Sequence, residues 1–488
     1  MKLLVMVLVL SAAAPSLWAG NITLEGRVSG SGSDTVTVYL YKYYSDLRPT
    51  LDAMKFAKVV KNGRFRFSLP AAGQPVYLTL YNTSGDVSKT YLHLFLAEPG
   101  DSIVLDARDS IIRFSGRGST TFRCQYQIQQ VPDISFSKEE LMPYYKNPSS
   151  YAFNSYTKRK MDSLTRSKLN ILARYRNMLK PAIFEQLRLD YSAEELYRLY
   201  KSLELYLHIK ADSATRMEQV AYFRDLQRCQ AGATDAELIK SRSRSYTDYL
   251  LFRTMTSILI DKYLNHSADL YDYSLAQLFE RFRQHFTSLV YERVGTLAIR
   301  IFYKGRDSTG PGYIDSLLGI AKIDYDKKIL KEFRWLRSNS SPAEPFVLIA
   351  ADGTTRRLAD FAGKVIVMDF WFTGCQSCIE LESWMKSIQQ QFRDDSGVVF
   401  LSICLDTNKK RWLKSAGSGL YTAPGSVNLY TDGHGFDDPL VTRYQVSGCP
   451  QLIIIDAKQR NYNTSPPVPY SDETSAAFVQ LIKAVEED

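Results

Sequence analysis

The sequence predicts a multidomain protein, with a β-sandwich-like domain at residues 20–118, an α-helical domain at 119–337 and an α/β domain at 338–488. Three observations predict this division. The 488 residues are more than one hydrophobic core usually organises. Apolar residues alternate in the first segment, recur every three or four residues in the second and form a continuous run in the third. The composition, 45% hydrophobic and 23% charged, is typical of a folded protein and excludes a mainly disordered chain.

The first 19 residues have the pattern of a secretory signal peptide. Lys2 precedes an apolar run at residues 3–10, which is followed by small residues at 11–14, by Pro15 and by a stretch that ends at Ala19. This run is too short to cross a bilayer comfortably, and no later stretch is apolar for about 18 residues. We therefore expect cleavage after Ala19 and export to the periplasm or cell envelope of a Gram-negative bacterium. An uncleaved N-terminal anchor is the alternative.

Short runs with a period of two predict the β-rich domain. Residues 35–41 and 64–69 alternate polar and apolar side chains, and Asn62 followed by Gly63 is a strong signal for a tight turn. Further short runs as far as residue 114 predict a small antiparallel sandwich. The segment contains no paired carboxylates, histidine cluster or phosphate-binding loop, so we expect it to serve packing or partner recognition.

Helical periodicity predicts a bundle of several helices in the middle of the chain. Residues 192–195 have the pattern of a capping box, and residues 246–263 and 275–286 have apolar side chains three and four positions apart. The bundle is basic: residues 121–340 contain 35 basic and 25 acidic residues, an excess of ten charges that the acidic C-terminal segment partly offsets to give the formal net charge of +9. Because its basic residues are mixed with acidic ones, we expect a solvated helical surface and no nucleic-acid partner.

The third segment contains a pair of cysteines between a predicted strand and a predicted helix. The apolar run at residues 365–372, interrupted by Asp369, predicts a buried strand. Cys375 and Cys378 follow it, and an apolar helix face begins directly after them. Cys375 should therefore lie at a helix N-terminus, where the dipole stabilises a thiolate, and Cys378 can resolve a mixed disulfide one turn later.

Two other uses of this cysteine spacing are a structural disulfide without turnover and a zinc site. A zinc site usually needs a second cysteine pair or nearby histidines, whereas the five histidines here are scattered along the chain. We therefore predict a redox-active pair, with no metal and no cofactor.

Several ordered segments also match a known family. They are Pro345-Phe-Val-Leu, Leu358 through Lys364, Asp369-Phe-Trp, Cys375-Gln-Ser-Cys and Val446-Ser-Gly-Cys-Pro-Gln-Leu-Ile-Ile-Ile-Asp. Residues 341–488 thus resemble the thioredoxin-fold domain of TlpA/ResA-like periplasmic proteins. The whole order of signal peptide, β-rich domain, helical segment and thioredoxin domain also resembles a group of exported thioredoxin-like proteins of Gram-negative bacteria.

The resemblance implies roles for particular residues. Asp369 occupies the position of the buried acid that moves a proton to or from the second thiol. Pro450 occupies the position of a cis-proline beside the disulfide, where the preceding backbone pairs with the substrate chain. The resemblance also implies that the substrate contacts Trp371, Gly374, Cys449 and Pro450.

The sequence departs from the family at several positions. Gly374 replaces a frequent tryptophan, and the two residues between the cysteines differ from the common pairs, so the reduction potential cannot be carried over. Leu381 stands where ResA-like proteins have a glutamate, and we interpret the neighbouring Glu380 and Glu382 as solvated helix charges. Residues 457–467 lack the usual glycine turn, which predicts a shortened or irregular final hairpin.

Four cysteines lie outside the pair. Cys449 is either a third thiol that can attack the disulfide or a small apolar filler, and we interpret Cys404 as a core filler. Cys124 and Cys229 are either free or joined in a structural disulfide. Six cysteines in 488 residues are too few for a scaffold held together by disulfides.

The sequence therefore predicts an exported thiol–disulfide oxidoreductase that reduces disulfides of periplasmic proteins. Its expected partners are disulfide-bearing exported proteins and a membrane or periplasmic thiol electron donor. One alternative is a thiol peroxidase of peroxiredoxin type, although Thr373 is two residues before Cys375 rather than the three of that family. Another is a redox-sensing or binding module on the β-plus-helix scaffold.

Overall fold

The computed structural model describes the chain over a set of ranges with short gaps: 21–28, 33–45, 53–71, 73–84, 87–107, 111–146, 150–208, 212–229, 231, 236–266, 273–303, 309–338, 341–446 and 448–487. The predicted signal peptide at residues 1–19 lies outside the described residues. The chain forms two compact units, Met1–Leu270 and Tyr271–Asp488. The division falls within the segment predicted as helical, and the predicted domain boundaries stay predictions.

Eight strands are described in the first unit. They are β1 (Ile22–Val28), β2 (Ser33–Tyr41), β3 (Met54–Lys61), β4 (Arg64–Leu69), β5 (Val76–Ser84), β6 (Val87–Ala97), β7 (Ser102–Ala107) and β8 (Arg113–Arg117). They form two four-stranded sheets, in the orders β4-β1-β7-β8 and β3-β2-β5-β6. Buried apolar side chains of both sheets share one core, which confirms the predicted sandwich. The sandwich is not purely antiparallel as predicted, because β1 pairs parallel to β7, a distant strand that a long connection brings beside it.

The turn between β3 and β4 has the geometry that its sequence predicts. Asn62 and Gly63 both have positive φ, 57° and 65°, as a tight hairpin turn of the mirror-image type requires. A Cβ atom on Gly63 would lie 2.1 Å from the carbonyl oxygen of Val28, so only glycine fits there. The strand that follows alternates exposed and buried residues along its whole length, as a half-buried strand should.

The middle of the chain is helical, as predicted. The helices of the first unit are α1 (Ser119–Gln129), α2 (Lys138–Lys146), α3 (Ser150–Arg174), α4 (Pro181–His208), α5 (Ser213–Gln227), α6 (Glu237–Arg242) and α7 (Tyr246–Leu264). The second unit begins with α8 (Leu275–His285), α9 (Ser288–Phe302), α10 (Gly310–Ile320) and α11 (Asp324–Leu336). The periodic runs predicted at 246–263 and 275–286 correspond to α7 and α8.

The predicted capping box at residues 192–195 was wrong. Ser192 lies inside α4, which begins at Pro181, and its hydroxyl donates to the carbonyl oxygen of Arg188 at 2.7 Å. A serine inside a helix satisfies its hydroxyl in this way on the preceding turn. A true capping box starts α8, where Ser274 and Gln277 exchange side-chain to backbone hydrogen bonds.

The rest of the second unit is built on one mixed sheet. Its strands are β9 (Val347–Ala350), β10 (Thr355–Arg357), β11 (Val365–Trp371), β12 (Val398–Cys404), β13 (Val427–Tyr430), β14 (Gln451–Ile455) and β15 (Asn461–Asn463). Its helices are α12 (Gln376–Gln391), α13 (Lys409–Ala416), α14 (Pro439–Arg443) and α15 (Asp472–Glu486). The strand order is β10-β9-β13-β12-β11-β14-β15, with β11 parallel to β12 and antiparallel to β14.

The two faces of β11 bury different side chains. Ile366 and Met368 belong to the core on one side of the sheet. Val365 and Val367 belong to the core on the other side, together with apolar residues of α12 and α15. Because successive side chains point to opposite faces, Asp369 lies on the α12 side. The sheet thus directs this acid toward the helix that follows the cysteines.

The final hairpin is short and irregular, as predicted. β15 has three residues, and its pairing with β14 shifts register between Ile454 and Ile455. Within the described ranges, no helix combines the length and the apolar character needed to cross a membrane.

Candidate active site

The cysteine pair lies where the strand β11 leads into a helix. β11 ends at Trp371, and Cys375 is the N-cap residue of α12. The sulfur atoms of Cys375 and Cys378 form a disulfide. Cys375 Sγ also accepts a hydrogen bond from the backbone amide of Cys378 at 3.2 Å. After reduction, the free amides and dipole of the helix N-terminus would stabilise a thiolate at this position.

Three side chains that follow β12 in the chain hold the turn that precedes the cysteine pair. Asp406 accepts hydrogen bonds from both the backbone amide and the hydroxyl of Thr373, the first at 2.9 Å. The amide of Gly374 donates to the Tyr421 hydroxyl at 2.9 Å. Arg411 Nη2 donates to the carbonyl oxygen of Thr373 at 2.8 Å. These four bonds fix the backbone that presents the first cysteine.

Gly374 has a backbone conformation that favours glycine over the tryptophan common at this position. Its φ is +97°, in a region where a side chain introduces strain. The residue is exposed. A substrate chain can therefore reach Gly374, and its contact with the substrate stays a prediction.

Asp369 is a buried acid in β11. Only 9% of its surface is exposed, and its Oδ1 atom has no hydrogen-bond partner among the described residues. Burial raises the pKa of Asp369 to about 7. A carboxyl group with such a pKa can exchange a proton near neutral pH, as the role implied by the family resemblance requires.

Glu382 is a second buried carboxyl group, and sequence reasoning missed it. It is 3% exposed, and burial, followed by the charge of Asp369, raises its pKa to about 8. The interpretation of Glu382 as a solvated charge was therefore wrong, whereas Glu380 is exposed as expected. The sequence spacing indicates this burial, because Glu382 is four residues after Cys378 and thus lies on the same helix face.

The segment before β14 brings a proline and a further cysteine to the disulfide. The Cys449–Pro450 peptide bond is cis, as the resemblance implies. The carbonyl oxygen of Cys449 lies 3.6 Å from Cys375 Sγ. Cys449 is half-buried, and its side chain packs against the cluster that contains Cys375 and Cys378. The backbone beside Pro450 therefore lies next to the first cysteine.

Trp371 does not face the surface. Its side chain is fully buried, its Nε1 donates to Ser402 Oγ at 2.8 Å, and its ring stacks on Tyr421 with the centroids 4.8 Å apart. The predicted contact of Trp371 with the substrate is therefore wrong for this structure, because the side chain is inaccessible. Trp371 instead supports the tyrosine that holds the Gly374 amide.

The remaining cysteines are free thiols. Cys404 is fully buried in the same cluster as the disulfide, in agreement with its interpretation as a core filler. Cys124 and Cys229 are not joined to each other, so the alternative of a structural disulfide between them is excluded. Over the part of the chain that the structure describes, no group of three or more His, Cys, Asp or Glu side chains could hold a metal ion.

The disulfide is nearly covered, and two exposed aromatic side chains lie beside the residues that flank it. The first cysteine is 5% exposed and the second 3%. Tyr470 is 39% exposed, and its hydroxyl donates to the carbonyl oxygen of Ser377 at 3.3 Å. Phe436 is 43% exposed and packs against Phe372 with the ring centroids 6.3 Å apart. The sequence alone gave no reason to choose either aromatic residue.

A family model described as thioredoxin-like matches residues 363–462. This segment contains the cysteine pair, the buried acid of β11 and the cis-proline. The C-terminal part of the chain is a thioredoxin-like domain. The resemblance predicted from the sequence is thereby confirmed for this part of the chain, and the β-rich and helical segments precede the domain.

Solved structures similar to this domain cover about a third of the chain. One is a proposed thiol–disulfide oxidoreductase of Bacteroides vulgatus, with 26% identity, coverage of 30% of this chain and 96% of that one, and a TM-score of 0.26. Another is a proposed thiol:disulfide interchange protein DsbE of Chlorobium tepidum, with 23% identity, coverage of 30% and 98%, and a TM-score of 0.27. A thiol:disulfide interchange protein of a Bacteroides species has 21% identity, coverage of 30% and 91%, and a TM-score of 0.26. No curated protein is similar in sequence to this chain.

Proposed function

We propose that the chain is an exported enzyme that reduces disulfides of periplasmic proteins by thiol–disulfide exchange. One observation carries the proposal: the Cys375–Cys378 disulfide caps the N-terminus of α12, with the carbonyl oxygen of Cys449 3.6 Å from Cys375 Sγ. This arrangement combines a sulfur in a thiolate-stabilising position, a resolving sulfur one turn later and a backbone against which a substrate chain can pair.

The reaction starts from the reduced pair. The Cys375 thiolate attacks one sulfur of a substrate disulfide, forms a mixed disulfide and displaces the other substrate sulfur as a thiolate. Cys378 then loses its proton and attacks Cys375 Sγ. The second substrate sulfur leaves, so the substrate gains two electrons and the enzyme regains its disulfide.

The two buried carboxyl groups serve the proton of Cys378. The pKa of Asp369 is raised to about 7 by burial, and that of Glu382 to about 8 by burial and then by the charge of Asp369. Each carboxyl group can therefore gain or lose a proton near neutral pH. Asp369 accepts the proton when Cys378 attacks, and the negative charge that Asp369 carries without its proton helps Glu382 to keep its own.

Substrate recognition falls to the surface around the first cysteine. The backbone at Cys449 and Pro450 pairs with the extended substrate chain, and the exposed Gly374 allows that chain to approach closely. The exposed rings of Phe436 and Tyr470 add apolar contact beside it. Because these contacts are mostly to backbone, we expect tolerance of many substrate sequences.

The proposal also includes the location and the partners. Residues 1–19 direct export to the periplasm or cell envelope, where disulfide-bearing proteins are the substrates. A membrane or periplasmic thiol protein supplies electrons to the oxidised pair. No nucleic-acid partner is proposed.

A redox titration of the full mature chain against glutathione tests the direction of electron flow. Reductants in this fold lie near about −270 mV and strong oxidants near about −120 mV. We expect a midpoint closer to the first value, measured by mapping the fraction of the Cys375–Cys378 disulfide with mass spectrometry. A midpoint near the oxidising end would overturn the reductant assignment. The Cys375→Ser, Cys378→Ser double variant is the control, because it should show no two-electron transition.

A further inference from the structure

Cys449 differs from the other free cysteines in its surroundings. Cys375, Cys378 and Cys404 belong to one buried cluster, and Cys449 packs against that cluster. Cys404 is fully buried, whereas Cys449 is half-buried and retains access to the surface where a substrate would lie. Cys124 and Cys229 belong to the first unit. Cys449 is therefore the free thiol best placed to take part in exchange at the disulfide.

Its contact with the first cysteine is direct. The carbonyl oxygen of Cys449 is 3.6 Å from Cys375 Sγ. Because a carbonyl oxygen is about 2.4 Å from the Cα of its own residue, the Cys449 Cα lies within about 6 Å of that sulfur. A cysteine side chain on this Cα can bring its own sulfur to Cys375 Sγ with a small rearrangement.

The surroundings of Cys449 explain why its thiol is protonated, and therefore a poor nucleophile, in the oxidised enzyme. Burial, followed by the charge of Asp369, raises the pKa of Cys449 well above its usual value. The thiol therefore stays protonated while the Cys375–Cys378 disulfide is intact. The charge that acts on this thiol belongs to Asp369, a buried carboxyl group whose pKa of about 7 lets it take up a proton near neutral pH.

We propose that Cys449 is a second resolving thiol of the active site. The inference rests on the proposed function, and it adds a second route by which a mixed disulfide on Cys375 is released. Cys449 Sγ attacks Cys375 Sγ and gives its proton to Asp369. The bond from Cys375 to the substrate breaks, the substrate sulfur leaves as a thiolate, and a Cys375–Cys449 disulfide forms. Cys378 then attacks this disulfide, restores the Cys375–Cys378 bridge and frees Cys449, so no outside oxidant is needed.

The route has a consequence for variants that lack Cys378. Such variants are expected to hold a mixed disulfide on Cys375 for a long time, because the resolving thiol is missing. With Cys449 as a second resolving thiol, the Cys378→Ser variant instead releases its partner and stops at a Cys375–Cys449 bridge. The Cys378→Ser, Cys449→Ser double variant retains the mixed disulfide.

Glutathione disulfide provides a test on the full mature chain that needs no protein substrate. The reduced Cys378→Ser variant is mixed with this reagent, excess reagent is removed, and the adduct on Cys375 is followed by mass spectrometry. We expect the adduct to disappear at least about tenfold faster than in the Cys378→Ser, Cys449→Ser double variant, because the attack is intramolecular. We also expect peptide mapping to find a Cys375–Cys449 disulfide. An adduct equally long-lived in both variants, or a bridge to any other cysteine, would overturn the proposal.

Cys404 supplies the matched control. The Cys378→Ser, Cys404→Ser variant removes a thiol from the same cluster but leaves Cys449 in place, so its adduct should decay as fast as that of Cys378→Ser alone. Mapping the bridge in the Cys378→Ser variant needs no change at Cys449, and so remains decisive if a Cys449 variant folds poorly. Because glutathione disulfide is a small molecule, this result does not depend on whether the chain reduces protein disulfides. The redox titration described above and the reduction of insulin by the full mature chain test that activity separately.

Discussion

The Cys375→Ser variant is expected to lose disulfide reduction by at least about a thousandfold, measured as insulin reduction by the full mature chain. The reason is that Cys375 is the sulfur at the N-terminus of α12, where a thiolate is stabilised, and the hydroxyl of serine is not a nucleophile at neutral pH. Cys378 cannot replace it, because Cys378 lies inside the helix and is 3% exposed.

A matched control exists in the same chain. Cys229 is a half-buried free thiol in the first unit, and the Cys229→Ser variant should reduce insulin at the wild-type rate. If Cys375→Ser kept more than a few per cent of the activity, the nucleophile would have to be another thiol, and the assignment of the active site would fail.

The Asp369→Asn variant is expected to stabilise the second unit at pH 8 by up to about 4 kcal/mol, because the native pKa is raised by about three units. The sign follows from the protonation of each state. Below about pH 4 both the folded and unfolded carboxyl groups are protonated, so the wild type has no penalty. Between about pH 4 and pH 7 the unfolded chain loses its proton while the folded chain keeps it, and wild-type stability falls as pH rises. The gain from Asn should grow over that window and stay constant above it.

Tryptophan fluorescence during urea unfolding provides the measurement. Apart from Trp18 in the predicted signal peptide, the other four tryptophans of the chain lie in the second unit, so the signal reports that unit. Glu382→Gln should behave similarly, with its window extending to about pH 8. The exposed Glu380 on the same helix is the control, since Glu380→Gln should leave the stability unchanged at both pH 4 and pH 8. If Asp369→Asn and Glu382→Gln raise the free energy of unfolding at pH 8 by no more than Glu380→Gln does, burial does not raise the pKa values of these two carboxyl groups.

The same variants separate stability from catalysis. With Asp369 as the acceptor of the Cys378 proton, the resolution rate of the wild type should rise with pH through about 7. Asp369→Asn should lower this rate and remove that inflection, although the folded protein is more stable. A purely structural role for Asp369 would leave the pH profile of the rate unchanged.

The position of the cysteine pair could be predicted from the sequence because local signals agreed with each other. An apolar run with a single acid, Asp369, specified the buried strand β11, and helical periodicity began directly after the second cysteine. The cis bond at Pro450 followed only from the family resemblance, since residues far apart in the chain bring it to the disulfide. The hydrophobic pattern of a short segment does not show which distant segment of the chain packs against it.

The errors have physical causes as well. The charge of Glu382 predicts a solvated side chain, whereas its position on the buried helix face decides its burial. The resemblance implies a substrate contact for Trp371, whereas the stacking on Tyr421 and the hydrogen bond to Ser402 hold its side chain in the core. The parallel pairing of β1 with β7 depends on a connection across most of the sandwich, which periodicity of single strands does not specify.

A single-turnover transfer of disulfide from insulin to the reduced full mature chain tests the central claim most directly. The reduced chain is mixed with insulin, the reaction is quenched by acid, and every disulfide in both products is mapped by mass spectrometry. We expect one Cys375–Cys378 disulfide to form for each insulin disulfide that is reduced. Intact insulin together with a fully reduced chain, or oxidation confined to cysteines outside this active site, would contradict the account.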